Sequence, residues 1–259
     1  MRRFFAAIAF YSAIPLSAHT PYLVPQSFEP VLGGYVTLDS SFAEKFFVPE
    51  VAFNNGDFLI LDPSGEIIEP DQEIELSTRV VIEHQLRDSG TYKFATGARY
   101  GLVFTIYEVD GVQTTARGDS QPIPEGAVIT EQFQTLSWAE TYVSKDAPDE
   151  AALKPVHSGL VLVPITHPND LFAEEEFRFQ VLFEGKPLVE AEALVFLAED
   201  QFGKGSEDIL LTTDEQGKAS FVAAEQGVYL LQVRHRAPAP DGAPAPTYSH
   251  TTTLSLEAY

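Results

Sequence analysis

Phe177-Arg178-Phe179-Gln180-Val181-Leu182-Phe183 is the stretch that decides the fold class. Phe177, Phe179, Val181 and Phe183 occupy alternate positions, with Arg178 and Gln180 between them. A period of two places the apolar set on one face of a strand and the polar set on the other. Tyr229, Leu231 and Val233 repeat the pattern in the segment ending at His235, and Leu254 and Leu256 share a face near the C-terminus. Further strands are expected at Tyr35 to Leu38, Phe58 to Leu61, Arg79 to His84, Tyr92 to Ala95 and Leu102 to Glu108. Turn signals separate them: Asn54-Asn55-Gly56, Asp62-Pro63-Ser64-Gly65, Asp88-Ser89-Gly90, Asp110-Gly111 and Asp214-Glu215-Gln216-Gly217. No segment carries a long 3.6-residue period. The expected class is all-β, with two β-sandwich domains.

The chain has 259 residues, 44% hydrophobic and 12% aromatic, enough for a large packed core. Asp and Glu outnumber Lys and Arg 38 to 16, for a net charge of -22. So negative a chain repels phosphate backbones and anionic membrane surfaces, which argues against a nucleic-acid partner and makes cations the natural small partners. The absence of cysteine excludes disulfides, thiolate metal sites and a cysteine nucleophile.

Residues 1–18 read as a secretory leader. Arg2 and Arg3 precede an apolar run from Phe4 to Ile14, and Ala18 suits the position before a cut. The run is too short to span a bilayer, and no later segment is long and apolar enough, so the protein is expected in the periplasm and not embedded in a membrane. A boundary is expected at 146–155, where Asp146, Pro148, Asp149, Glu150 and Pro155 suggest an exposed connector. It would separate an N-terminal domain, 19–145, from a C-terminal one, 156–259. The Pro/Ala stretch from Ala237 to Pro246 reads as an extended, solvent-facing loop.

Two sets of residues carry a resemblance. Gly185-Lys186-Pro187-Leu188, Ala191, Thr213 to Gly217 and Gly227-Val228-Tyr229 resemble the turns and strands of a Cna-B-like or prealbumin-like sandwich. Over nearly the whole chain, Ala18 to Pro25, Ser89 to Tyr92, Gly159 to Pro164, Arg234 to Ala237 and Tyr248 to Leu254 resemble a family of periplasmic proteins of unknown function, described as periplasmic components of cobalt or nickel uptake. The resemblance implies secretion, a two-part β architecture and binding of nickel or cobalt. It carries over His19 and His235.

The residues themselves supply a chemistry for that expectation. A cut after Ala18 leaves His19 first, and its α-amine and imidazole together can chelate nickel, cobalt or copper. His235 shares the parity of Tyr229, Leu231 and Val233, while His250 shares that of Leu254 and Leu256. If the two segments pair antiparallel, both imidazoles sit at the base of the Pro-rich loop, with Cβ atoms about 4.5–5.5 Å apart if directly opposed. His19, His235 and His250 are therefore the candidate metal ligands. The competing reading is a frayed His19 and two core-edge histidines bonded to backbone. His84 is expected at a strand end facing inward, His157 in the connector and His167 in a surface turn. Glu174-Glu175-Glu176 reads as a solvated strand entry, and Trp138 and Tyr142 as packing residues.

No Gly-rich phosphate loop, His-Glu-x-x-His or Gly-x-Ser-x-Gly is present, so no catalytic residue is assigned. The leading expectation is a non-enzymatic accessory that holds nickel or cobalt for a membrane importer. The alternatives are an interaction or structural module without metal, and a copper oxidase built on the N-terminal histidine.

Overall fold

A computed structural model describes residues 19–30, 34–198 and 208–259. The expected leader lies outside the described residues. These residues form strands joined by turns, two of them short 3-10 turns, and include no α-helix. A ten-stranded sheet runs through the molecule; a five-stranded sheet belongs to the N-terminal half and a four-stranded sheet to the C-terminal half.

The deciding stretch is the strand Glu176–Phe183, with Phe177, Phe179 and Val181 buried. It pairs with Leu160–Pro164 on one edge and Lys218–Val222 on the other. Its apolar face meets Leu231, Val233, Leu254 and Leu256 in one core. Each such side chain contributes about 1.5–3 kcal/mol on burial. A second core gathers Leu38, Ile82, Phe94 and Val143 in the N-terminal half. The N-terminal strand Thr20–Pro25 is buried throughout because its two faces serve different cores. Leu23 enters the second, whereas Tyr22 and Val24 join Phe46 and Leu230 in a third.

Turn chemistry follows the sequence. Val109 and Val112 are register partners around Asp110 (φ 53°) and Gly111 (φ 78°), the left-handed pair of a two-residue hairpin. The Asp214 carboxylate accepts from the Gln216 and Lys218 amides at 2.7 and 2.9 Å. Gly217 closes that turn at φ +70°, where a Cβ would lie 2.6 Å from the Val181 carbonyl oxygen.

The longest element, Val128–Lys145, is one continuous strand. One edge meets Arg99–Val109 and then Gly90–Ala95. The other runs parallel to the C-terminal strand Thr247–Ala258, from Gln134 opposite Tyr248 to Thr141 opposite Ser255. The two halves thus share a sheet. The segment 146–155 exposes Asp146, Pro148, Glu150 and Pro155, as expected, but its backbone is anchored. The Asp149 amide donates to Thr91 Oγ1 at 2.9 Å and its carboxylate accepts from the Thr91 amide at 3.1 Å. The Lys154 carbonyl accepts from the buried Lys93 ammonium at 2.7 Å, and Ala152 is buried. Lys93 also lies 3.9 Å from the buried Glu140 carboxylate. This segment is a fastened corner, because its backbone oxygens satisfy polar groups inside the fold.

Candidate functional site

The hairpin Gly227–Pro238/Thr247–Ala258 builds the candidate site by alternation. Arg234 is opposite Thr251 and Arg236 opposite Ser249. Ser249 and Thr251 are opposite Thr135 and Ser137 on the neighbouring strand. These residues share one side of the central sheet and floor a cleft of about 370 Å³. The hairpin Arg99–Val109/Val112–Arg117 supplies a wall with Arg99, Leu102, Phe104 and Arg117, and the N-terminal region adds His19, Phe42 and Val51.

Four arginines line this cleft and, among the described residues, no carboxylate does. Three of their guanidinium groups lie over aromatic rings, a favourable cation–π placement: Arg236 4.0 Å from the Phe133 centroid, Arg99 4.8 Å from Phe42 and Arg117 5.8 Å from Phe104. Arg236 pairs at the rim with Glu131. Arg99 donates to the Asn54 backbone carbonyl at 2.9 Å and to its side-chain oxygen at 3.1 Å. Arg234 donates to Thr20 Oγ1 at 3.3 Å. Burial first, then the adjacent Arg236, pull Arg234 down from the ordinary range, although a guanidinium remains charged. His19 stands half-exposed at the cleft with its Nε2 2.8 Å from the Glu50 carboxylate.

The histidine pair is on the other side of the sheet. His235 and His250 are direct cross-strand partners, as antiparallel pairing of their segments predicts. Their rings lie 4.6 and 5.2 Å from the Phe183 ring. His235 reaches the cleft wall by its place between Arg234 and Arg236, while alternation turns its ring toward Phe183. The structure therefore brings His235 and His250 together and leaves the His19 ring on the opposite face. Among the described residues, no group of three His, Cys, Asp or Glu is placed to hold a metal.

A second cavity, of about 590 Å³, opens on the histidine face between Trp138, His157, Phe183 and His250. Burial, then the neighbouring His235 and His157, push His250 down to about 4. Burial also lowers His235 and His157. His157 differs from the expected surface residue: its ring lies 3.7 Å from that of Trp138, and its buried Nε2 has no hydrogen-bond partner among the described residues. His167 is structural too, with Nε2 2.9 Å from the Asp149 carbonyl and Nδ1 accepting from the Asn169 amide at 3.1 Å. His167 differs from expectation because the corner 146–155 docks against its ring, and His157 because its ring stacks on Trp138. His84 is buried beside Asp71, as expected at an inward-facing strand end.

Sequence reasoning missed the arginines. Arg99, Arg117, Arg234 and Arg236 are far apart in the chain, and only Arg234-His235-Arg236 offered a local signal: two cations on the parity opposite the apolar set.

A family model described as "Domain of unknown function (DUF4198)" matches residues 16–237. The chain belongs to this DUF4198 family. The match spans both halves and includes Arg234, His235 and Arg236. No curated protein matches the chain. Among solved structures, it is similar to the D0-D1 domain of Intimin, at 11% identity and a TM-score of 0.24, covering 92% of this chain and 97% of that one. It is also similar to the human OSCAR ligand-binding domain, at 14% identity and a TM-score of 0.20, covering 93% and 100%. At such scores, neither likeness bears on function. No helix among the described residues is long and apolar enough to cross a membrane.

Proposed function

We propose that this DUF4198 protein is a non-catalytic periplasmic accessory that holds a divalent transition metal, nickel or cobalt first, at its mature N-terminus for a membrane importer. The observation that carries this reading is the place of His19: beside a cleft, just before a buried strand, with its ring oriented by Glu50. Cleavage after Ala18 would free an α-amine on that same residue, giving two nitrogen donors on an ordered element. The Thr20 hydroxyl accepts from Gln232 Nε2 at 2.6 Å, which fixes the next residue to the central sheet. The copper-oxidase alternative is weaker, because it calls for a second imidazole beside His19 and the rings of His235 and His250 face away.

The test is intact mass of the exported protein, to define its first residue, followed by calorimetry with nickel, cobalt, copper and zinc. Tight nickel or cobalt binding that is lost in His19→Ala supports the reading. Equal, weak binding by both proteins contradicts it and leaves an interaction module without metal.

A further inference from the structure

The cleft carries a charge opposite to that of the chain. With 38 acidic and 16 basic residues in the sequence, an average surface patch is negative. Here four arginines converge from three places in the chain and, among the described residues, no Asp or Glu lines the space between them. Bringing like charges together costs free energy unless something compensates them. Glu131 compensates Arg236 at the rim, and the Asn54 oxygens hold Arg99 in place without neutralising it.

The walls carry a second signal. Phe42, Phe104, Phe133 and Leu102 give the cleft an apolar lining, and Leu102 is among the most exposed large hydrophobic residues, at 58%. Three of the guanidinium groups lie over the Phe rings, which restricts the directions in which their N–H edges point. On the floor, Thr135, Ser137, Ser249 and Thr251 add hydroxyl groups. A planar, fork-shaped cation matches a carboxylate by two parallel hydrogen bonds, and a cavity of 300–1,000 Å³ suits a small organic molecule.

We propose that this cleft binds a small organic carboxylate with an apolar body, its carboxylate held by the arginines and its body against the phenylalanine wall. Arg234 and Arg236 contribute to the anion-binding set from the floor, and Arg99 and Arg117 from the hairpin wall. The site does not depend on the metal reading, since the carboxylate needs no bound ion.

The test uses the exported full chain in metal-stripped buffer, so that success or failure is independent of nickel and cobalt. The probes are 4-phenylbutyrate, its neutral amide, the corresponding amine and inorganic phosphate, read by calorimetry and by ligand-observed NMR. The carboxylate should bind at least about tenfold tighter than the amide, because charge-assisted hydrogen bonds are the stronger ones. The amine should not bind, and phosphate should bind more weakly than 4-phenylbutyrate. Arg117→Gln and Arg236→Gln should each weaken the carboxylate about fivefold or more, while Arg178→Gln, outside the cleft, should leave it unchanged. Absence of carboxylate binding to the wild-type protein overturns the proposal and needs no variant to be folded. Equal binding of amide and carboxylate also overturns it, as does phosphate binding as tightly as the organic anion.

Discussion

Arg234 and Arg236 project to one side of the central sheet, and the His235 ring, between them in sequence, to the other. The contrast between these two faces organises the molecule. One face has four arginines, hydroxyl groups and an open cleft. The other continues the core of Phe177, Leu231 and Leu254 and ends in His235, His250 and Phe183. A single step along a strand exchanges a site for charged ligands for a packed edge of neutral imidazoles. Three histidines that look equivalent as metal ligands are thereby divided: His19 stands on the cleft side, and the other two rings on the core side.

The largest expected effect tests the core face. Leu231 is fully buried four positions before His235, on the same face of the strand. Leu231→Ala should cost about 3 kcal/mol in chemical denaturation by lost burial and a residual cavity. A cost below 1 kcal/mol would break the assignment of that parity to the interior.

An acid transition should follow from the histidine pair. His250 lies at about 4 in the folded protein against an ordinary 6.5. The fold thus favours the neutral ring, and the unfolded chain binds the proton more readily between those values. Its stabilising contribution is complete above pH 6.5 and is lost as pH falls toward 4. The shift corresponds to about 3 kcal/mol. His235 and His157 are displaced in the same direction. His250→Phe should therefore lose about 3 kcal/mol less than wild type between pH 7 and pH 4, measured by urea midpoints. Equal losses would contradict it.

The division of the histidines predicts unequal metal phenotypes. His19→Ala should weaken nickel binding about tenfold or more, whereas His235→Ala should change it less than about twofold, because its ring lies on the far side of the sheet. The smallest effect is expected at the cleft itself. Arg236 is exposed, and Arg236→Ala should alter stability by no more than about 1 kcal/mol, since exposed ion pairs contribute little. A larger loss would assign the arginine cluster to structure and weaken its role as a ligand site.

The legible parts of the fold are those with one wet face. Phe177 to Phe183 alternates because Arg178 is exposed, and the turns at Asp110-Gly111 and Asp214 to Gly217 use side chains and φ values that sequence reveals directly. The strand Val128–Lys145 was not legible, because Ser137 to Ser144 are buried on both faces and include Glu140, Thr141 and Ser144, so no polar face marks the period. The opposition of His235 and His250 followed from parity and an antiparallel return. The arginine cleft did not: Arg99 and Arg117 reach it only through the hairpin that pairs with the strand Val128–Lys145, and Arg234 only through the parity that local hydrophobicity leaves unremarked. The docked corner at 146–155 was hidden for a related reason, since it is held mainly by backbone atoms, which sequence does not display.

The most direct test of the proposed function is paramagnetic NMR of the exported protein with cobalt(II). Signals of His19, Thr20, Glu50 and Arg234 should broaden at low cobalt, while those of His250 and Phe183 persist. Broadening centred on His235, His250 and Phe183, with His19 unaffected, would contradict a metal site built on the N-terminal face.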